Sequence, residues 1–209
     1  PAGGGRREEE EMKVIGSTGG VGSGKSEVLG IRERDFGAEL LIADEIAHQV
    51  MEPGMPAYRR IVEALGTDFL SEDGSIDRKA LAKRLFGDGE ALGTVNSIVH
   101  PTVWQAIEEG IRCSRKELVI VEAALFDEEH NGLFDQVWYI FTSEENRISR
   151  LMKSRGYSRE KCLDIMRSQK SESEFRAMAA RVIDNNKNVA DVKRQLETIL
   201  KEEADASEW

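Results

Sequence analysis

The residues best equipped for chemistry stand together in Gly19-Gly20-Val21-Gly22-Ser23-Gly24-Lys25-Ser26. Gly19, Gly24, Lys25 and Ser26 satisfy G-x-x-x-x-G-K-[ST], the spacing of a phosphate-binding loop. Glycines let successive backbone N–H groups turn inward around phosphate oxygens. A helix beginning near Lys25 adds the positive end of its dipole. Lys25 can reach the β- and γ-phosphates, and the Ser26 hydroxyl can ligate Mg²⁺. The stretch Gly19 to Ser26 is therefore expected to hold ATP. If it were only a flexible turn, its glycines, lysine and hydroxyl would coincide without a cause.

Such a loop works only between a strand and a helix. Met12-Lys13-Val14-Ile15 leads in as a short apolar run, and Glu27-Val28-Leu29-Gly30-Ile31 leads out. Further strand-length runs recur at Leu40–Ala43, Leu118–Val121, Val137–Phe141 and Arg181–Asp184. Helical stripes lie between them: Tyr58, Ile61, Val62 and Leu65; Val103, Trp104, Ile107 and Ile111; Val189, Val192, Leu196, Ile199 and Leu200. Alternation of this kind predicts an α/β fold, a parallel sheet flanked by helices. Residues 12–51, 115–142 and 171–205 are expected to form the nucleotide-binding core. Between Ala43 and Leu118 there are helical stripes and no convincing strand, so 52–114 reads as a helical insertion for substrate. Residues 143–170 crowd Arg147, Arg150, Lys153, Arg155, Arg159, Lys161 and Arg167 together and read as a basic lid with helices over 144–152 and 159–168. A solvated helix face is the plainer account of that cluster.

Asp44 closes the run Leu40-Leu41-Ile42-Ala43. Ligands of parallel α/β sheets bind at the carboxyl ends of strands. A carboxylate there can orient an acceptor hydroxyl or take its proton. Asp is also a favoured helix N-cap, and the two roles are compatible. A switch GTPase would need D-x-x-G and N-K-x-D segments. The first is absent, and Asn186-Lys187-Asn188-Val189 lacks the final Asp of the second.

Composition narrows the class further. The chain has 209 residues and a net charge of −10, from 29 basic and 39 acidic residues, which argues against a general nucleic-acid binder. Cys113 and Cys162 lack metal-ligand spacing and read as reduced thiols of a cytoplasmic protein. No apolar run reaches the ~18 residues of a membrane span. Residues 1–11 are expected to be a disordered leader or an expression remnant, and 201–209 a frayed tail.

With these segments in view, the chain resembles the dephospho-coenzyme A kinase family over residues 12–200. The resemblance rests on "STGGVGSGKS", "ADEIAHQVMEPG", "DGSIDRKALAKRLF", "IVHP", "IMRSQ" and "VIDNN". It implies transfer of the ATP γ-phosphoryl group to the ribose 3′-hydroxyl of dephospho-coenzyme A, with Mg²⁺, in a P-loop core bearing a coenzyme A region and a lid. It implies Asp44 at the acceptor hydroxyl, Gly19 to Ser26 on ATP and Mg²⁺, and Arg78 and His100 near the substrate. The His100-Pro101 pair also reads as a structural helix start. The family often has a second Asp where this chain has Ile42, and Pro-Leu-Leu where it has Ala123-Ala124-Leu125. Glu122 offers a carboxylate beside that segment. A lid arginine of the family falls on Ser154 here, with Arg155 adjacent, so Arg155 is the expected phosphate contact and Arg150 its reserve. The competing readings are another small-molecule kinase and a non-catalytic nucleotide sensor.

Overall fold

The computed structural model describes residues 12–124, 126 and 129–206. The expected leader at 1–11, Leu125 and the last three residues lie outside them. In chain order the elements are β1 (Lys13–Thr18), α1 (Lys25–Phe36), β2 (Glu39–Ile42), α2 (Ala43–Val50), α3 (Pro56–Leu65), α4 (Arg78–Leu85), α5 (Gly89–Cys113), β3 (Leu118–Glu122), β4 (Gln136–Phe141), α6 (Glu144–Arg155), α7 (Arg159–Arg167), α8 (Glu172–Met178), β5 (Arg181–Asp184) and α9 (Val189–Ala206).

The five strands form one sheet in the order β2-β3-β1-β4-β5. β1 runs parallel to β3, with Ile15 opposite Ile120, and parallel to β4, with Gly16 opposite Val137. β4 is in turn parallel to β5. β3 is buried along its whole length, as a strand covered on both faces must be. One face carries Ile15, Ile120, Trp138, Ile140 and Ile183 against Val28, Leu29 and Ile31 of α1 and Val192 and Leu196 of α9. The stripe read from the sequence near the C-terminus is thus the inner face of α9. That helix continues through Ala206, so the expected tail is helical over most of its length.

The chain divides into two compact units, Leu41–Ser114 and the segments flanking it. The helical unit begins at Leu41 rather than at residue 52, because α2 packs against α5. Ile46, Val50, Ala57, Ile61, Phe69 and Leu81 are buried there with Val95, Ile98, Val103, Trp104 and Ile107 of α5. α5 passes through Pro101 without ending, so His100 lies in mid-helix and does not start one. The 3₁₀ turn Asn131–Leu133 precedes β4.

Ile15 is fully buried at the centre of the sheet, directly before the loop. Ile15→Ala should lower unfolding free energy by about 2–5 kcal/mol, read as a lower urea midpoint at unchanged slope.

Candidate functional site

β1 ends at Thr18 and α1 starts at Lys25, so the loop between them has no ladder or helix to hold it. Gly22 and Gly24 sit at φ of 76° and 79°, the left-handed region that glycine enters without strain. A Cβ on Gly24 would stand 2.4 Å from Asn185 Nδ2, and one on Gly19 would stand 2.8 Å from the Ile140 carbonyl. The surrounding protein therefore needs glycine at these positions, as well as any phosphate.

What holds the loop is a set of buried donors aimed at one carbonyl. The Ser23 oxygen accepts from Thr142 Oγ1 at 2.9 Å, Asn185 Nδ2 at 2.9 Å and Arg150 Nη1 at 3.2 Å. Arg150 Nη2 also donates to the Asn185 carbonyl at 2.7 Å. Thr142 and Asn185 follow β4 and β5 directly and are 2% and 1% exposed, which leaves no water to compete. Further along the loop, Arg147 Nε donates to the Val21 carbonyl at 2.8 Å, and the Val21 N–H donates to Gln169 Oε1 at 3.0 Å. The Val21 side chain packs on Ile148, Leu151 and Cys162 of α6 and α7. Burial lowers the Arg147 pKa, offset by Tyr139 and Glu144, yet a guanidinium keeps its charge at any ordinary pH.

Lys25 opens α1 and folds back on the loop. Its Nζ donates to the Gly19 carbonyl at 2.8 Å and stands 3.6 Å from Glu122 Oε1 at the end of β3. The ammonium and this carboxylate thus share the loop's inner side. Ser26 is exposed in the first turn of α1. Two oxygen donors, the Ser26 hydroxyl and the Glu122 carboxylate, suit a hard cation such as Mg²⁺. Among the described residues no cluster of three or more His, Cys, Asp or Glu could hold a metal without a phosphate's help.

Other expected residues fall elsewhere. Arg155 is exposed at the last turn of α6, its guanidinium 5.9 Å from the Tyr157 ring. Arg150 and Arg147, one turn apart on α6, bond loop carbonyls, whereas no contact of Arg155 with the loop is seen among the described residues. Asp44 lies in the first turn of α2, in the helical unit, with its side chain exposed. β2 stops at Ile42, which is the N-cap of α2, so Asp44 neither ends the strand nor caps the helix. In the same unit Arg78 Nη1 lies 3.1 Å from His48 Nε2, beside a cleft of about 220 Å³ bordered by Met51, Pro53 and Ile76. His100 accepts from Trp104 Nε1 at 3.2 Å, one helical turn away.

Thr142 was not singled out from the sequence; Arg147 stood only within the basic cluster, and Gln169 and Asn185 only within the segments IMRSQ and VIDNN. The rule that drew attention to Asp44, that ligands meet the carboxyl ends of strands, points equally to Thr142 and Asn185. Arg147 shares the i, i+3 face of Arg150.

Strand order, loop and buried anchors together define a P-loop kinase fold. Residues 13–191 match the family model described as dephospho-CoA kinase. A dephospho-CoA kinase of Carboxydothermus hydrogenoformans is 36% identical over 193 residues, covering 90% of this chain and 93% of its own. The crystal structure of TT1252 from Thermus thermophilus superposes with a TM-score of 0.75 at 31% identity, over 92% of this chain and 98% of that one. The dephospho-CoA kinase of Campylobacter jejuni, at 24% identity and a TM-score of 0.69 over 93% and 98% of the two chains, shares the fold. The chain belongs to the dephospho-CoA kinase family.

The contacts of α6 order its arginines. Arg150→Ala removes a charge-assisted bond to the loop and should weaken ATP binding by about tenfold. Arg155→Ala should change it less than twofold, and calorimetric titration of both proteins with Mg-ATP checks the order. The reverse order would restore the shifted lid register.

Proposed function

We infer that the protein transfers the γ-phosphoryl group of ATP to the ribose 3′-hydroxyl of dephospho-coenzyme A, giving coenzyme A and ADP. The observation that carries this reading is the pre-shaped loop closed by Lys25 and Glu122, in a chain of this family. In phosphoryl transfer the protein chiefly positions groups and stabilises charge. Lys25 exchanges its bond to the Gly19 carbonyl for oxygens of the β- and γ-phosphates. Backbone N–H groups from Gly19 to Ser26 take the remaining phosphate oxygens. Ser26 and Glu122 would hold Mg²⁺, which when bound neutralises phosphate charge.

Asp44 is exposed and has no hydrogen-bonding partner among the described residues. We assign it the acceptor hydroxyl, which it orients and deprotonates as the bond to phosphorus forms. The helical unit receives the coenzyme, and the Arg78–His48 pair offers donors for a phosphate oxygen beside its cleft. His100, which accepts from Trp104 Nε1, lies on α5 of the same unit, where the family resemblance sets it near the substrate. The α6–α7 pair excludes water, which would otherwise compete as acceptor. No helix of the described residues is long and apolar enough to cross a membrane. A reduced cytoplasm suits the two unpaired thiols, Cys113 and Cys162.

ADP release should require dephospho-coenzyme A and stay at background with nucleoside monophosphates or nucleosides. Release with a nucleoside monophosphate would make the protein a nucleotide kinase, and ATP binding without release would make it a sensor. Asp44→Asn should leave ATP affinity unchanged and slow turnover by roughly 10²–10⁴-fold, measured in the same assay. Unchanged turnover would remove Asp44 from the chemistry.

A further inference from the structure

Val21 is held at both of its backbone polar groups. Its N–H donates to Gln169 Oε1 at 3.0 Å and its carbonyl accepts from Arg147 Nε at 2.8 Å. Arg147 Nη2 donates to the same Gln169 oxygen at 3.0 Å. Three segments distant in sequence thereby close one ring of hydrogen bonds: the loop, α6, and the residues just after α7. Gly20 and Gly22 flank Val21, and glycine neighbours resist rotation of a peptide least. Gly22 is already in the left-handed region. A Cβ on Gly20 would lie 2.3 Å from Arg147 Nη2, so the guanidinium rests flat against the loop.

We propose that Gln169 and Arg147 are positioning residues that lock the two peptide units of Val21 and so fix the loop in its nucleotide-ready shape before ATP arrives. A glycine-rich loop has many conformations to lose on binding, and one already held loses fewer. The side-chain types fit the task. Gln169 supplies one neutral oxygen that accepts twice, where a carboxylate would bring negative charge toward phosphate. Arg147 supplies two N–H groups in a rigid fork, which a lysine ammonium cannot reproduce. Val21 adds an apolar anchor among Ile148, Leu151 and Cys162, so the same residue ties the loop to α6 and α7 by backbone and side chain. These residues need touch no reacting atom, because they act through the loop.

The proposal rests on the nucleotide site described above, and its test reads nucleotide binding and loop order separately. Gln169→Met keeps length and removes the acceptor; Arg147→Lys keeps charge and removes the fork. Each should raise the Mg-ATP dissociation constant about tenfold by calorimetry. The KM for dephospho-coenzyme A should move less than twofold. Because both side chains hold one residue and bond each other, the double variant should bind no more weakly than the weaker single variant. Dissociation constants within twofold of wild type, or losses that add, would overturn the proposal. Hydrogen exchange in the unmodified protein without nucleotide gives an independent reading. The Val21 amide should exchange at least tenfold more slowly than those of Gly20 and Gly22. Equally fast exchange would overturn the lock even if the variants failed to fold. Failure of wild type to bind ATP would instead strike the nucleotide site itself, with Val21 protection still deciding the lock.

Discussion

The Ser23 carbonyl is the fixed point of this structure. A phosphate-binding loop must present backbone N–H groups inward, so its carbonyls have to point out into the protein. An outward carbonyl buried without donors would cost free energy, and one that is over-supplied with donors becomes an anchor. Here Thr142, Asn185 and Arg150 all donate to Ser23. The loop's shape is thus imposed by the ends of β4 and β5 and by one face of α6. Those elements can impose it because β4 is parallel to the loop's own strand, and β5 to β4.

The same constraint explains why α6 and α7 pack directly on the loop. Arg147 and Arg150 spend hydrogen bonds on loop carbonyls, and Val21 fills an apolar gap between α6 and α7. Motion of α6 would carry the loop with it. Lys25 is the exception. Phosphate oxygens can take the place of the Gly19 carbonyl as its acceptor, and a cation can take its place beside the Glu122 carboxylate. Rigid anchors behind the loop and an exchangeable lysine in front are what a transfer reaction needs: fixed donors where charge develops, and one mobile cation that follows the phosphates.

Much of this was legible in the sequence, for physical reasons. The inner strands β1, β3 and β4 were visible because strands covered on both faces are apolar runs, and Val-Ile-Gly or Leu-Val-Ile-Val leaves little choice, whereas the edge strands β2 and β5 are half-buried and β5 was the more weakly marked. The loop was visible because its chemistry tolerates few residue types. Less legible were features set by three-dimensional packing. The start of the helical unit at Leu41 depends on α2 meeting α5. His100-Pro101 looked like a helix start because proline favours that position, yet α5 absorbs it. Asp44 lies inside the first turn of α2 because Ile42, an apolar residue, serves as N-cap without a side-chain bond. Which α6 arginines reach the loop depends on which face of the helix meets it, and a one-residue offset moves a side chain about 100° around a helix. Gln169 and Asn185 lie within the quoted segments IMRSQ and VIDNN, but their contacts were not legible, since neutral amides are ordinary surface residues until a carbonyl or N–H is brought to them.

The central claim is that this site delivers phosphate to one particular hydroxyl. It is tested most directly by phosphorus NMR of the product formed from ATP, Mg²⁺ and dephospho-coenzyme A. The account predicts one new phosphomonoester resonance coupled to the ribose H3′ proton, appearing in step with ADP. A monoester on another hydroxyl, or inorganic phosphate as the sole new species, would contradict it.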